Sequence, residues 1–179
     1  MVVVVVMGVC GCGKTTIGEA LAERVGWSFR DADEFHSEAN KHKMSTSTPL
    51  TDEDRLPWLT AIHQYIKSLQ EKSESAVVTC SALKRHYRDV LRSGEHFSSP
   101  SSSSSSSADI LFVLLKGTRH VLEERLGGRK GHFMPSDLLT SQLDTLEEPD
   151  PDENCLVVNI DDNVPHMVDL IADKIKSKV

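Results

Sequence analysis

Within the first fifteen residues a β-branched run, Val2 to Met7, meets Gly8 and continues as Gly8-Val9-Cys10-Gly11-Cys12-Gly13-Lys14-Thr15. This matches G-x-x-x-x-G-K-[ST] at every specified position. The pattern works only between a buried strand and a helix. Its glycines let successive N–H groups turn toward phosphate oxygens, and the helix presents its positive end. Both flanks are present. Val2 to Met7 reads as a fully buried central strand. Thr15 to Val25 places Ile17, Leu21 and Val25 on one helical face before Gly26 closes the helix. The segment therefore predicts a nucleotide phosphate cradle made by Gly8, Val9, Cys10, Gly11, Cys12, Gly13, Lys14, Thr15 and Thr16. Lys14 is the catalytic charge near the β/γ oxygens, and the Thr15 hydroxyl is a ligand for Mg²⁺.

The same alternation continues downstream. Trp27 to Asp31 predicts a second strand, Ala76 to Cys80 a third, Ile110 to Leu115 a fourth and Leu156 to Ile160 a fifth. Between them, Leu59, Ile62, Ile66 and Leu69 follow helical spacing from Leu56, with Thr51 and Asp54 as a capping box just upstream. Leu83 to Arg92 reads as a polar helix, and Val164, Met167, Val168, Ile171 and Ile175 mark the apolar face of a last one. The expectation is an α/β fold of three layers, the P-loop NTPase type: a five-stranded parallel sheet with helices on both faces and a short lid segment. At 179 residues one domain suffices. Residues at about 98–107, serine broken only by Pro100, have no periodicity and predict a flexible insertion without a catalytic role.

The net charge of −7 argues against a nucleic-acid surface, so phosphate binding must be local. Four scattered cysteines, Cys10, Cys12, Cys80 and Cys155, give neither a zinc spacing nor a disulfide framework. The N-terminal apolar run is too short for a membrane span and lacks the basic lead of a signal peptide, so the expected compartment is the cytoplasm.

Carboxylates gather at the end of the second strand. Asp31 and Asp33, two apart, would point to one face of an extended segment beside the phosphate loop. In-line phosphoryl transfer needs one acid in the metal shell and one to orient the attacking hydroxyl. Asp31 is assigned to magnesium and Asp33 to substrate and catalysis, against helix capping by Asp33. His36 is a secondary substrate contact. Arg55 suits a substrate carboxylate, although its spacing fits an i,i+3 partnership with Asp52 equally well. No acid follows the third strand, which disfavours a motor ATPase, and no Asn-Lys-x-Asp motif points to guanine. Arg125 and Arg129, four apart beside Gly127-Gly128, suggest a lid over about 125–135 that brings guanidinium groups to developing charge. A solvated basic helix end is the alternative.

Taken together, these stretches resemble the gluconokinases of the shikimate-kinase-like P-loop kinases. The resemblance rests on the phosphate loop, Asp31-Ala32-Asp33-Glu34-Phe35-His36, Pro49 to Trp58, Cys80-Ser81-Ala82-Leu83-Lys84, Tyr87-Arg88-Asp89 and Gly131-His132-Phe133-Met134-Pro135. Leu139-x-Ser141-Gln142-x-x-Thr145-Leu146-Glu147 follows the lid as in that family. The resemblance implies ATP-dependent conversion of D-gluconate to 6-phosphogluconate, Lys84 among the substrate contacts, and a homodimer. Cys10 and Cys12 depart from the family, which usually has serine there. Shikimate kinase is the nearest enzymatic rival, and a nucleotide-binding switch the rival of another class.

Overall fold

The computed structural model describes residues 1–94, 109–127 and 136–177. The expected serine-rich insertion and most of the expected lid lie outside them. Five parallel strands, β1 (Val3–Met7), β2 (Ser28–Asp31), β3 (Ala76–Thr79), β4 (Ile110–Lys116) and β5 (Cys155–Asn159), pair in the order β2-β3-β1-β4-β5. Every side chain of β1 is buried. Val4 and Val6 pack toward α1 (Lys14–Val25) and α7 (Val164–Lys176), while Val3, Val5 and Met7 lie under α3 (Asp52–Glu71) and α4 (Arg85–Ser93). Helices on both faces explain why the strand is continuously apolar rather than alternating.

Local chemistry sets where the helices start and stop. α1 ends at Gly26, whose φ of 71° is the left-handed cap expected of glycine. α3 begins at Asp52, four residues before the apolar face, because Thr51 and Asp54 form a complete capping box. Three elements escaped the periodicity argument. A 3₁₀ turn spans Ala32–Phe35, and α2 (Glu38–Ser45) buries only Asn40, so neither has a stripe to read. α6 (Ser136–Thr145) is the third, following α5 (Arg119–Gly127) along the chain.

One buried ion pair ties the second half of the sheet to the first. Arg88 and Glu153 are both without exposed side-chain surface and meet at 2.6 and 2.9 Å. Burial pushes the Glu153 carboxyl up, but the Arg88 hydrogen bonds, the Asp150 amide and the charges of Arg88 and Arg85 together hold the group below its ordinary value. The same guanidinium donates to Ala82 O, Leu83 O and Glu147 O at 3.1–3.3 Å. Ala82 sits at φ 43°, and this grip holds the turn leaving β3 in that strained shape.

Candidate active site

The phosphate loop joins the carboxyl end of β1 to α1. At Gly8, φ is 143°, and a β-carbon would lie 2.8 Å from Cys12 Sγ and 2.9 Å from Leu115 O, so no larger residue fits the turn. Gly13, at φ 96°, is the N-cap of α1; it has no side chain to cap the helix, and the first turn carries no acid. The helix therefore presents its amide end to the loop without an internal anion, as a phosphate site requires. Lys14 Nζ donates to Gly8 O and Val9 O, both at 3.1 Å, and so arches back over the loop. Thr15 and Thr16 follow on the exposed side of the same turn.

The acidic pair reaches the loop by a different geometry from the extended one expected. Asp31 ends β2, but Asp33 lies in the 3₁₀ turn, and the Asp31 carboxylate caps that turn by accepting from Asp33 N at 3.0 Å. The turn, rather than strand alternation, brings the two acids together. Thr15 Oγ1 donates to Asp31 Oδ2 at 3.4 Å, so two hard oxygen donors meet beside the phosphate cradle. They suit Mg²⁺, which keeps several waters and takes few protein ligands. No group of three or more His, Cys, Asp or Glu able to hold a metal occurs among the described residues. Desolvation and then the like charge of Asp31 raise the Asp33 carboxyl, with Lys14 opposing. The side chain remains 82% exposed.

His36, expected as a secondary substrate contact, is buried beside Asp33. Its ring stacks on Trp58 at a centroid separation of 4.3 Å and an angle of 11°. Asn40 Nδ2 lies 3.4 Å from His36 Nδ1 and donates to Asp54 O at 2.8 Å. With the amide donating to Nδ1, the ring proton belongs on Nε2, which lies 4.0 Å from Asp33 Oδ1. Burial, then the charges of Arg55 and Lys41, lower this imidazole to about 4, so it is neutral near pH 7.

Arg55 and Lys84 converge from α3 and the turn before α4. Lys84 Nζ contacts both oxygens of Asp52 at 3.2 and 3.1 Å, and Arg55 Nη1 lies 3.9 Å from Asp52 Oδ1. The i,i+3 partnership of Arg55 with Asp52 is therefore present but long, and the stronger bond, at 2.6 Å, goes to Leu50 O.

Arg125, on α5, donates to Ile160 O at 2.6 Å and to Cys12 O at 3.4 Å, which seats a guanidinium against the phosphate loop. α5 spans Arg119–Gly127, and the helix face expected to be shared by Arg125 and Arg129 reaches outside the described residues. One contact escaped the sequence argument. Gln142 on α6 accepts from Cys10 N at 2.7 Å, joining residues 132 apart. Only the neighbouring Ser141-Gln142 pattern hinted at it. None of the four cysteines forms a disulfide, and Cys10 and Cys12 are buried. Burial raises the Cys12 thiol despite Lys14, and it pushes Cys80 up to about 12, so neither favours the reactive thiolate.

Residues 10–148 match the family model described as shikimate kinase. The chain is 42% identical over 180 residues to a probable gluconokinase of Xenopus tropicalis, covering 99% of this chain and 95% of the relative. It is 38% identical over 173 residues to the thermoresistant gluconokinase of Escherichia coli K12, covering 96% and 92%. The crystal structure of a gluconokinase from Sinorhizobium meliloti 1021 superposes with a TM-score of 0.78 at 40% identity, covering 98% of this chain and 95% of that one. A phosphate loop on the central strand, the carboxylate pair beside it and this near full-length likeness place the chain in the gluconokinase family of shikimate-kinase-like P-loop kinases.

Proposed function

We propose that the chain transfers the γ-phosphoryl group of ATP to the primary hydroxyl of D-gluconate, giving 6-phosphogluconate and ADP. The observation that carries this reading is the meeting of Thr15, Asp31 and Asp33 at the open amide end of α1, which in this reading seats the nucleotide phosphate against the acceptor hydroxyl. The substrate identity is supported by the gluconokinase relatives.

In this reading Asp33 orients the attacking hydroxyl and accepts its proton as the oxygen bonds to the γ-phosphorus and the bond to the ADP oxygen breaks. Lys14 leaves the carbonyls of Gly8 and Val9 for the β/γ oxygens, and Arg125 adds charge from α5 beside Cys12. Thr15 and Asp31 would hold Mg²⁺, which neutralises phosphate charge when bound. Arg55 receives the sugar acid's carboxylate with the Lys84 charge beside it, and His36 supports Asp33 from behind.

The test is ADP release measured with gluconate, shikimate and nucleoside monophosphates side by side. Gluconate should be preferred by roughly 10²-fold or more in kcat/KM, because a site built around a carboxylate and several hydroxyls rejects acceptors that leave its polar groups unpaired. Faster turnover of shikimate would move the chain to the neighbouring activity. Tight ATP binding without turnover of any acceptor would make it a switch.

A further inference from the structure

Between the two cations assigned to the substrate carboxylate stands a carboxylate of the chain's own. Asp52 accepts from Lys84 through both oxygens, at 3.2 and 3.1 Å, and from the Tyr87 hydroxyl. His86 Nε2 lies 3.6 Å away and Arg55 Nη1 3.9 Å. Among the described residues, Arg55 gives hydrogen bonds only through Nη1, to Leu50 O at 2.6 Å and to the Tyr87 hydroxyl at 3.4 Å. The rest of its planar fork is left for a bidentate partner. Lys84, by contrast, is already engaged by both oxygens of Asp52.

Counting the permanently charged side chains, Arg55 and Lys84 against Asp52 leave one net positive charge. Resting on the gluconate reading, we propose that Asp52 is a specificity-determining residue that sets this subsite to a single positive charge, retaining Lys84 and leaving Arg55 to receive the substrate's one carboxylate. Its negative charge opposes that carboxylate and weakens binding. In exchange it ties the start of α3 to the turn before α4 and holds Lys84 and Tyr87 in place.

The test replaces charge while keeping shape. In Asp52→Asn the amide oxygen can still accept from the Tyr87 hydroxyl and from Lys84, as Oδ1 does now, but the amide nitrogen cannot accept the second Lys84 hydrogen bond and the opposing negative charge is gone, so the Lys84 charge is no longer neutralised. The helix start survives because Thr51 and Asp54 cap it independently. Removing one screened charge a few ångströms from a ligand carboxylate should lower the gluconate KM about fivefold. The KM for ATP should stay within about twofold, since Asp52 does not touch the phosphate loop. The gluconate KM should also depend more steeply on salt than in the wild type, because the subsite now carries two positive charges. Damage to the fold raises KM, so a fall cannot come from a merely structural role.

Asp52→Glu, which keeps the charge, should give a gluconate KM above that of Asp52→Asn. Asp52→Ser serves as a second neutral variant should the amide variant fail to fold. A gluconate KM that is unchanged or raised in a folded neutral variant overturns the proposal while leaving the gluconate reading intact. A wild type that does not phosphorylate gluconate overturns that reading, and this proposal with it.

Discussion

Asp31 and Asp33 sit two residues apart yet meet the phosphate loop in different ways, and substitution should separate them. Asp31 reaches Thr15 and caps the 3₁₀ turn, whereas the Asp33 side chain is open to an incoming hydroxyl. Asp33→Asn should lose about 10²- to 10⁴-fold in kcat while still binding ATP with magnesium, as removal of a proton acceptor does. Asp31→Asn should raise the Mg²⁺ concentration needed for half-maximal rate. Initial rates against Mg²⁺, with nucleotide binding by calorimetry, read both effects. If Asp33→Asn alone shifts the magnesium requirement, the two roles are exchanged. His36 carries a consequence for stability. Its folded value of about 4 lies below the 6.5 of a free imidazole, so between those values the unfolded chain binds more protons. Its contribution to stability is therefore complete above about pH 6.5 and is lost as pH falls toward about 4, amounting to roughly 1–3 kcal/mol. Urea unfolding at about pH 7.5 and about pH 5 should show a smaller difference for His36→Gln than for the wild type. An equal difference would place the loss elsewhere.

Helix α3 shows how far an element can be foreseen. Its apolar residues Leu59, Ile62, Ile66 and Leu69 are legible from spacing because one face is buried, and its start is legible from the Thr51–Asp54 pair. The cap is reinforced by Lys43, which contacts Asp54 at 2.7 and 2.8 Å. Lys43 comes from α2, an element with no apolar stripe, so nothing in local sequence announces the contact. Thr51→Ala should cost about 1 kcal/mol, read as a lower Tm. Within the site the same division holds. The phosphate loop is legible because its chemistry depends on backbone turns at fixed spacing. Gln142 meeting Cys10, and Asp52 gathering Lys84 and Tyr87, are not, because each joins residues far apart in sequence through side chains that could pair in many ways. The acid pair lies between these cases: proximity was foreseen, but the turn producing it was not.

At the scale of the molecule, Arg88 and Glu153 connect the turn that carries Lys84 to the segment entering β5. Arg88→Leu leaves a buried carboxylate without its partner and should cost about 3–5 kcal/mol in urea unfolding. Adding Glu153→Leu should restore a substantial part of that loss, since two apolar side chains remove the unpaired charge. If the double variant is no more stable than the single one, the pair's contribution lies in its carbonyl contacts instead. The central place of β1 bears on how the chain is made. Val3–Met7 is synthesised before both of its neighbours in the sheet, Ala76–Thr79 and Ile110–Lys116. At a synthesis rate of about 5–20 residues per second, this bare valine ribbon waits on the order of ten seconds for its second flank. During that interval it is the segment of the nascent polypeptide most in need of shielding from other unpaired strands.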